Sequence, residues 1–528
     1  ILSQSVSLSP KTAWQQTIPG AGRARCWSLV LRNASGQEIL RCQRPEDVTI
    51  PPPELEPEFP PVETASTEEI YLAGYYALKH WDPVQAAALF EAALEKDPGF
   101  TPALRELAIL RYKDGRFQES LDLATKVLQR NDDDDAARYY RALAKVRLGM
   151  EERTEEDLDL IGRRAAYRHV APYVLAALAV RQNDLARAES LLRQVVACNP
   201  RDVKSRVLLA ALLRTEQRES EARQLVDAVV SEDPLYHLAT IETALLDGKD
   251  GRAAFDDPQY YIEAACDYAE MGLANSAMAA LALADDDHPL IAFYRAWLRQ
   301  PADREAATKD VRAGLELSPD YVFPFRTEDE IVLRAALESH PDDWRRRYYL
   351  ATLLASKCRW QEAMEHLQAA ERQASDYAVV YNNLGEIYRD KSHDSKSACT
   401  AYEKAIACNP DDYHYYVALD RLYAEAGEHG KRDAMFQKAP AAVKADFRVL
   451  LQRVHYLVDV ERFDDALALL EAHTYHPWEG WIAGRVAYLR VLHGRADKAM
   501  RQGNYGQAID DLHKAMEFPE NLGVGKPH

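Results

Sequence analysis

The chain has 528 residues, 47% of them apolar and 28% charged, with 84 acidic side chains against 65 basic ones for a formal charge of -19. That surplus of negative charge disfavours nucleic acid and anionic membranes as partners, and no basic stripe offsets it. The longest apolar runs, such as VLLAALL from Val207, fall far short of the roughly 20 residues that cross a bilayer.

The start at Ile1 lacks the pattern of a signal peptide. Seven cysteines without paired spacing fit reduced thiols and a cytoplasmic location. Cys198 and Cys408, each just before Asn-Pro, read as packing residues.

Residues 1–44 carry a β pattern. In RCWSLVLRNASGQEILRCQRP, Trp27, Leu29 and Leu31 alternate with polar neighbours, a turn containing Asn33 and Gly36 follows, and a second apolar run returns, the mark of a β-hairpin. An isolated hairpin is marginal in water. The absence of an initial Met and the ending GVGKPH suggest a segment of a longer protein with a β-rich neighbour. Residues 45–65, with RPEDVTIPPPELEPEFPPVE, form a Pro-rich acidic linker, read as an extended spacer or as a ligand for a proline-recognising domain.

From residue 66 to 518 the pattern is helical and repeats. Ala86, Ala188 and Ala222, and equally Pro98, Pro200 and Pro234, stand 102 and 34 residues apart. Small residues belong where paired helices cross, and proline ends the second helix of each pair. The first clear unit has Gly74, Ala86, Phe90, Ala93 and Pro98; the unit from Thr101 has Leu107, Ala108, Gly115, Phe117, Ser120 and Ala124. The fullest unit has Tyr381, Leu384, Gly385, Tyr388, Ala398, Tyr402, Ala405 and Pro410, with one extra residue, and is flanked by units at Leu350–Ala370 and from Tyr416. Register breaks predict irregular insertions near 150–170 and 245–260, and residues 519–528 form a tail. An ordinary helical bundle would share the Ala and Leu spacing but has no reason to repeat the Pro and Gly punctuation.

This register resembles the tetratricopeptide (TPR) repeat. The resemblance implies a mainly α fold, an α-solenoid of TPR-like helix pairs preceded by a short β segment. It also implies a concave groove lined by the first helix of each pair. By alignment of the units, Tyr348, Tyr349 and Thr352, then Asn382, Asn383 and Glu386, then His414 and Arg421 fall on that groove. Asn383 is the preferred contact, because a carboxamide both donates to and accepts from a peptide group. Asn382 and Asn383 could equally tie adjacent helices together. Domains of this family that clamp the acidic tail of chaperones carry lysine, asparagine and arginine at set places; here Tyr348, Thr352, His414 and Ala418 replace them, so that clamp is missing.

The C-terminal part, with His476, Pro477, Trp478, Glu479 and Gly480, then Pro519, Glu520, Asn521, Leu522 and Gly523, resembles the end of a bacterial family in which a galactose-mutarotase-like β-sandwich precedes a TPR array. That resemblance implies a carbohydrate-related parent protein and would make residues 1–44 the last strands of its sandwich. Trp481 stands where that family has a second glycine. His476, Trp478 and Glu479 would form a ligand loop, Trp478 stacking on a sugar and Glu479 accepting a hydrogen bond; the alternative is that Trp478 plugs the solenoid.

No HExxH helix, phosphate-binding Gly loop or GxSxG elbow occurs in the chain, so no catalytic residues, metal ligands or cofactor are assigned. The acidic run NDDDDAARYY from Asn131 lacks the alternating ligands of a calcium loop and reads as helix capping. Two classes of function follow. One is a noncatalytic scaffold that binds a protein or peptide, including a second copy of itself as a homodimer; the other is the helical accessory half of a carbohydrate-active protein whose chemistry lies upstream of Ile1.

Overall fold

Helix pairs of nearly constant length dominate the chain because the sequence repeats its start and stop signals at fixed steps. The computed structural model describes residues 4–6, 28–33, 35–43, 57–150, 154–248, 255–285, 287–339, 343–373, 376–476 and 482–523. The chain divides into two units, Ile1–Ala65 and Ser66–His528.

In the first unit β1 (Ser28–Arg32) and β2 (Glu38–Gln43) pair antiparallel, with a register shift between Leu31 and Arg32. The Asn33 carboxamide oxygen accepts from the Ser35 and Gln37 amides, and Gly36 supplies the left-handed turn residue at φ 83°. Leu29, Ile39 and Leu40 remain exposed. Trp27 lies outside the described residues.

Among its described residues the second unit has helices and no strand. Its successive pairs are α1 (Thr67–Lys79) with α2 (Pro83–Lys96), α3 (Thr101–Lys113) with α4 (Phe117–Arg130), α5 (Asp135–Arg147) with α6 (Thr154–Gly162), α7 (Val170–Arg181) with α8 (Leu185–Cys198), and α9 (Val203–Thr215) with α10 (Glu219–Glu232). A single helix α11 (His237–Asp247) follows, then α12 (Pro258–Glu270) with α13 (Ala274–Ala282), α14 (Pro289–Arg299) with α15 (Arg304–Glu316), and a second single helix, α16 (Thr327–Ser339). Beyond it come α17 (Trp344–Ser356) with α18 (Trp360–Glu371), α19 (Ala378–Asp390) with α20 (Ser395–Cys408), and α21 (Tyr413–Glu425) with α22 (His429–Lys438). The five-residue α23 (Ala441–Ala445), α24 (Phe447–Asp459) with α25 (Phe463–Ala472), and α26 (Ala483–Arg501) with α27 (Tyr505–Ala515) complete it.

Aspartate supplies most of the side-chain caps at the helix starts. Asp82, Asp134, Asp184, Asp202, Asp394 and Asp446 each accept a backbone amide from the first turn of the helix that follows, satisfying a donor with no partner inside the helix. The acidic run at Asn131 works this way: Asp134 caps α5 and also pairs with Arg105 at 3.2 Å.

The turn inside most pairs contains one left-handed residue. Trp81, Gly115, Gly149, Asn183 and Gln217 all have positive φ, and each stands 34 residues after the last. This ladder passes through Gly149 without a slip, so α5 and α6 keep the repeat phase although α6 has only nine residues. Further on, Cys358, His393, Gly427 and Glu461 continue it. His393 comes 35 residues after Cys358, which is the extra residue expected in that unit.

Helix crossings explain the small residues. Ala86, Ala188 and Ala222 are fully buried. A Cβ added to Gly74 would sit 2.7 Å from the Phe90 ring, and one added to Gly385 would sit 2.8 Å from the Tyr402 ring, so a ring of the second helix lies flat on the bare backbone of the first. Cys408 packs beside Tyr381 and Tyr415. Cys198, expected to pack, is exposed instead.

Candidate functional site

First helices of the array are buried on every side in one part and line an open cavity in another. In α9 every residue from Ser205 to Leu213 is buried, and in α7 every residue from Val174 to Val180. Such helices have no face left for a partner. They are covered because the array folds back on itself: Tyr173 donates to Glu270 at 3.2 Å, Lys204 pairs with Asp267 and Glu270, and Arg147 reaches Glu328.

The open stretch begins at α19. A cavity of about 550 Å³ is lined by Asn382, Glu386 and Arg389 from α19, by Tyr413, His414, Val417, Ala418 and Arg421 from α21, and by Arg448, Leu451, Gln452 and His455 from α24, with Ala483 at its edge. Asn382, Val417 and Leu451 are the fifth residues of their helices, and Glu386, Arg421 and His455 the ninth. First helices of consecutive units stand side by side, so equivalent positions form rows across the cavity.

Of the expected residues, Asn382, Glu386, His414 and Arg421 meet here. Asn383 and Thr352 line an adjoining cavity of about 380 Å³ with Trp360 and Lys391, and Glu386 borders both. The Asn382 amide donates to Asn383 and Glu386 at 3.4 and 3.3 Å, bonds that stay within α19. Tyr348 and Tyr349 are a correction: both are buried, their rings packed on each other and, for Tyr348, on Tyr377, so they offer no surface to a partner.

Charge in the larger cavity is unevenly committed. Arg389 is held by Asp390, and Arg448 by Asp446 while its guanidinium lies 3.4 Å over the Tyr413 ring. His414 meets Asp412 at 2.8 Å. Arg421 is exposed and makes no ion pair with the described residues. Burial, reinforced by Arg490, pushes the His455 pKa below its ordinary value, leaving the ring neutral at neutral pH. Because Arg490 can only donate to His455 Nδ1, at 3.3 Å, the ring proton belongs on Nε2.

Arg448, Gln452 and His455 are absent from the sequence-based set. The signal for them is Glu461, 34 residues after Gly427 and left-handed like it, which puts α24 in phase with α21.

At the C-terminal motifs, His476 is exposed and its ring stands edge-on to Phe447. Trp478 and Glu479 lie outside the described residues. The Asn521 carboxamide donates to the carbonyls of Leu470 and His473, both at 2.8 Å, and the Asn521 carbonyl accepts from Tyr475 N at 2.7 Å. Asn521 therefore fastens the loop after α25. Among the described residues no group of His, Cys, Asp and Glu could hold a metal ion, and no helix is long and apolar enough to cross a membrane.

Two family models, both described as tetratricopeptide repeat, match residues 77–146, and 173–237 with 332–378. These three stretches of the chain are tetratricopeptide repeats. Solved TPR structures among its similar folds include YrrB, described as a TPR protein with an unusual peptide-binding site, at 19% identity over 35% of this chain and 90% of that one, with a TM-score of 0.29. Naa15/Naa10 bound to HypK-THB is 14% identical over 85% of this chain and 74% of that one, TM-score 0.25. Yeast Tom70 is 14% identical over 87% and 93%, TM-score 0.25.

Proposed function

We propose that this chain is a protein-interaction scaffold that binds an extended peptide segment in the cavity formed by α19, α21 and α24. The observation that carries this reading is the row of equivalent positions, the exposed Glu386 and Arg421 and the half-buried His455, lining one cavity of about 550 Å³. The corresponding faces of α7 and α9 are buried. Arg421 supplies an uncommitted cation, His455 a neutral donor, and Asn382 a carboxamide, beside the half-buried apolar Val417. Such a mixture suits a main chain with alternating side chains: the polar groups take peptide N–H and C=O, and the apolar position takes a side chain.

The test is selection of binding peptides from a displayed library on the intact chain, followed by fluorescence anisotropy with variants. Arg421→Ala and Asn382→Ala together weaken the selected peptides about tenfold or more, equivalent to roughly 1.4 kcal/mol, and leave the helical melt unchanged. Selected peptides that bind both proteins equally would place the binding surface elsewhere.

A further inference from the structure

We infer, on the peptide-binding reading of the cavity between α19, α21 and α24, that it selects a segment carrying one basic and one acidic side chain. Glu386 holds the basic side chain and Arg421 the acidic one.

Besides its histidines the cavity is lined by four charged side chains, Glu386, Arg389, Arg421 and Arg448. Two of them already have a carboxylate close by in sequence. Arg389 donates twice to Asp390, at 2.6 and 2.7 Å, and Arg448 twice to Asp446, at 2.9 and 2.7 Å. Glu386 and Arg421 differ: both are exposed, and neither makes an ion pair with the described residues. Glu386 accepts from the Asn382 carboxamide at 3.3 Å, a bond within its own helix.

The two are the ninth residues of α19 and α21, so they approach one space from neighbouring first helices. At other places in the array opposite charges on such helices close on each other. Arg214 of α9 meets Glu242 of α11 at 2.6 Å, and Arg490 of α26 meets Asp459 of α24 at 2.8 Å. Across this cavity the anion and the cation stay apart. The third member of the row, His455, is kept neutral by burial and by Arg490 and adds no competing charge.

A ligand that brings a cation to Glu386 and an anion to Arg421 satisfies both, whereas a segment with charges of one sign is repelled by one of the two. Packed helices stand about 8–10 Å apart and an extended chain advances about 3.3 Å per residue, which places the two charged side chains of the segment roughly three residues apart.

Selection of a displayed library of random peptides about twelve residues long on the full chain tests this. The expected binders carry a basic and an acidic residue at that spacing. Measured by fluorescence anisotropy, Arg421→Glu weakens such a peptide about tenfold or more, and lysine in place of the acidic residue of the peptide restores binding to that variant. Glu386→Arg with Arg421→Glu keeps the net charge and prefers the peptide with its two charged residues exchanged. Both side chains are exposed, so the melting midpoints stay unchanged. Binders that weaken with Arg421→Ala and Asn382→Ala but lack the charge pair, or ignore the reversals, overturn this inference and leave the cavity a peptide site. Binders indifferent to those two alanines, or a library that yields none, overturn both.

Discussion

Arg147 at the end of α5 and Glu328 in the first turn of α16 are 181 residues apart and pair at 2.7 Å. Arg147 also approaches Tyr112 and Glu270, and next to this node Thr327 donates to the Lys113 carbonyl and Arg116 comes within 4.0 Å of Glu362. The single helix α16 thus closes the early units against the later ones. Truncating Arg147 leaves Glu328 without its cation in a half-buried place, while Glu270 keeps Lys204. Arg147→Ala is expected to cost about 2 kcal/mol and to speed amide exchange in α3, α5 and α16 while leaving α24 to α27 unaffected. The exchange of charges, Arg147→Glu with Glu328→Arg, restores part of the protection; equal exchange in wild type and Arg147→Ala would show that apolar packing alone closes the array.

Trp81 occupies a place that Gly115 and Gly149 fill one and two periods later. It has φ 63° with 93% of its surface exposed. A bulky side chain in the left-handed region costs about 1 kcal/mol, and at this exposure its ring recovers nothing from packing. Trp81→Gly is expected to raise the melting midpoint by a degree or two, about 0.5 kcal/mol after the extra freedom of glycine in the unfolded chain is counted. A lowered midpoint would mean that the ring makes a stabilising contact.

The contrast between Gly385 and Asp420 shows why the fold was more legible than the site. Both are the eighth residue of a first helix. Gly385 fits the TPR pattern and marks its unit, whereas Asp420 is buried in a two-bond pair with Arg432, at 2.7 and 2.9 Å, and in α24 the place is taken by Val454. Large or charged residues at the crossing hide a unit from pattern reading, which is why Arg448, Gln452 and His455 were missed. The burial of Tyr348 and Tyr349 was equally hidden: repeat register tells which face a residue shares, while the folding back of the array, set by pairs such as Arg147 with Glu328, decides whether that face meets solvent.

At Gly385 itself the crossing leaves no room for a methyl group, since Tyr402 is fully buried and its ring cannot swing aside. Gly385→Ala forces α19 and α20 apart and is expected to cost about 1–3 kcal/mol, measured as a drop in the urea midpoint. Adding Tyr402→Leu to Gly385→Ala makes space and recovers part of that loss. A neutral Gly385→Ala would mean that the two helices are less tightly apposed than their geometry indicates.

Asp157 makes the short helix α6 sensitive to acid. Its side chain is 4% exposed and accepts from Arg141 at 3.0 Å, from Lys145 at 2.9 Å and from Arg138 at 3.4 Å. Burial acts to raise its pKa, but the hydrogen bonds and charges of Arg141 and Lys145 prevail and hold it below the ordinary 3.8. A carboxylate with a depressed folded pKa contributes its full stability above the unfolded value and loses it as pH falls through the folded one. Protection of α5 and α6 against amide exchange should therefore hold to about pH 4 and decline below it. Asp157→Asn removes the charge at every pH, so its α5 and α6 exchange faster at neutral pH, by a factor equivalent to about 2 kcal/mol, and the difference from wild type shrinks in acid. Parallel profiles for the two proteins from neutral pH to about pH 3 would show that Asp157 does not govern the docking of α6.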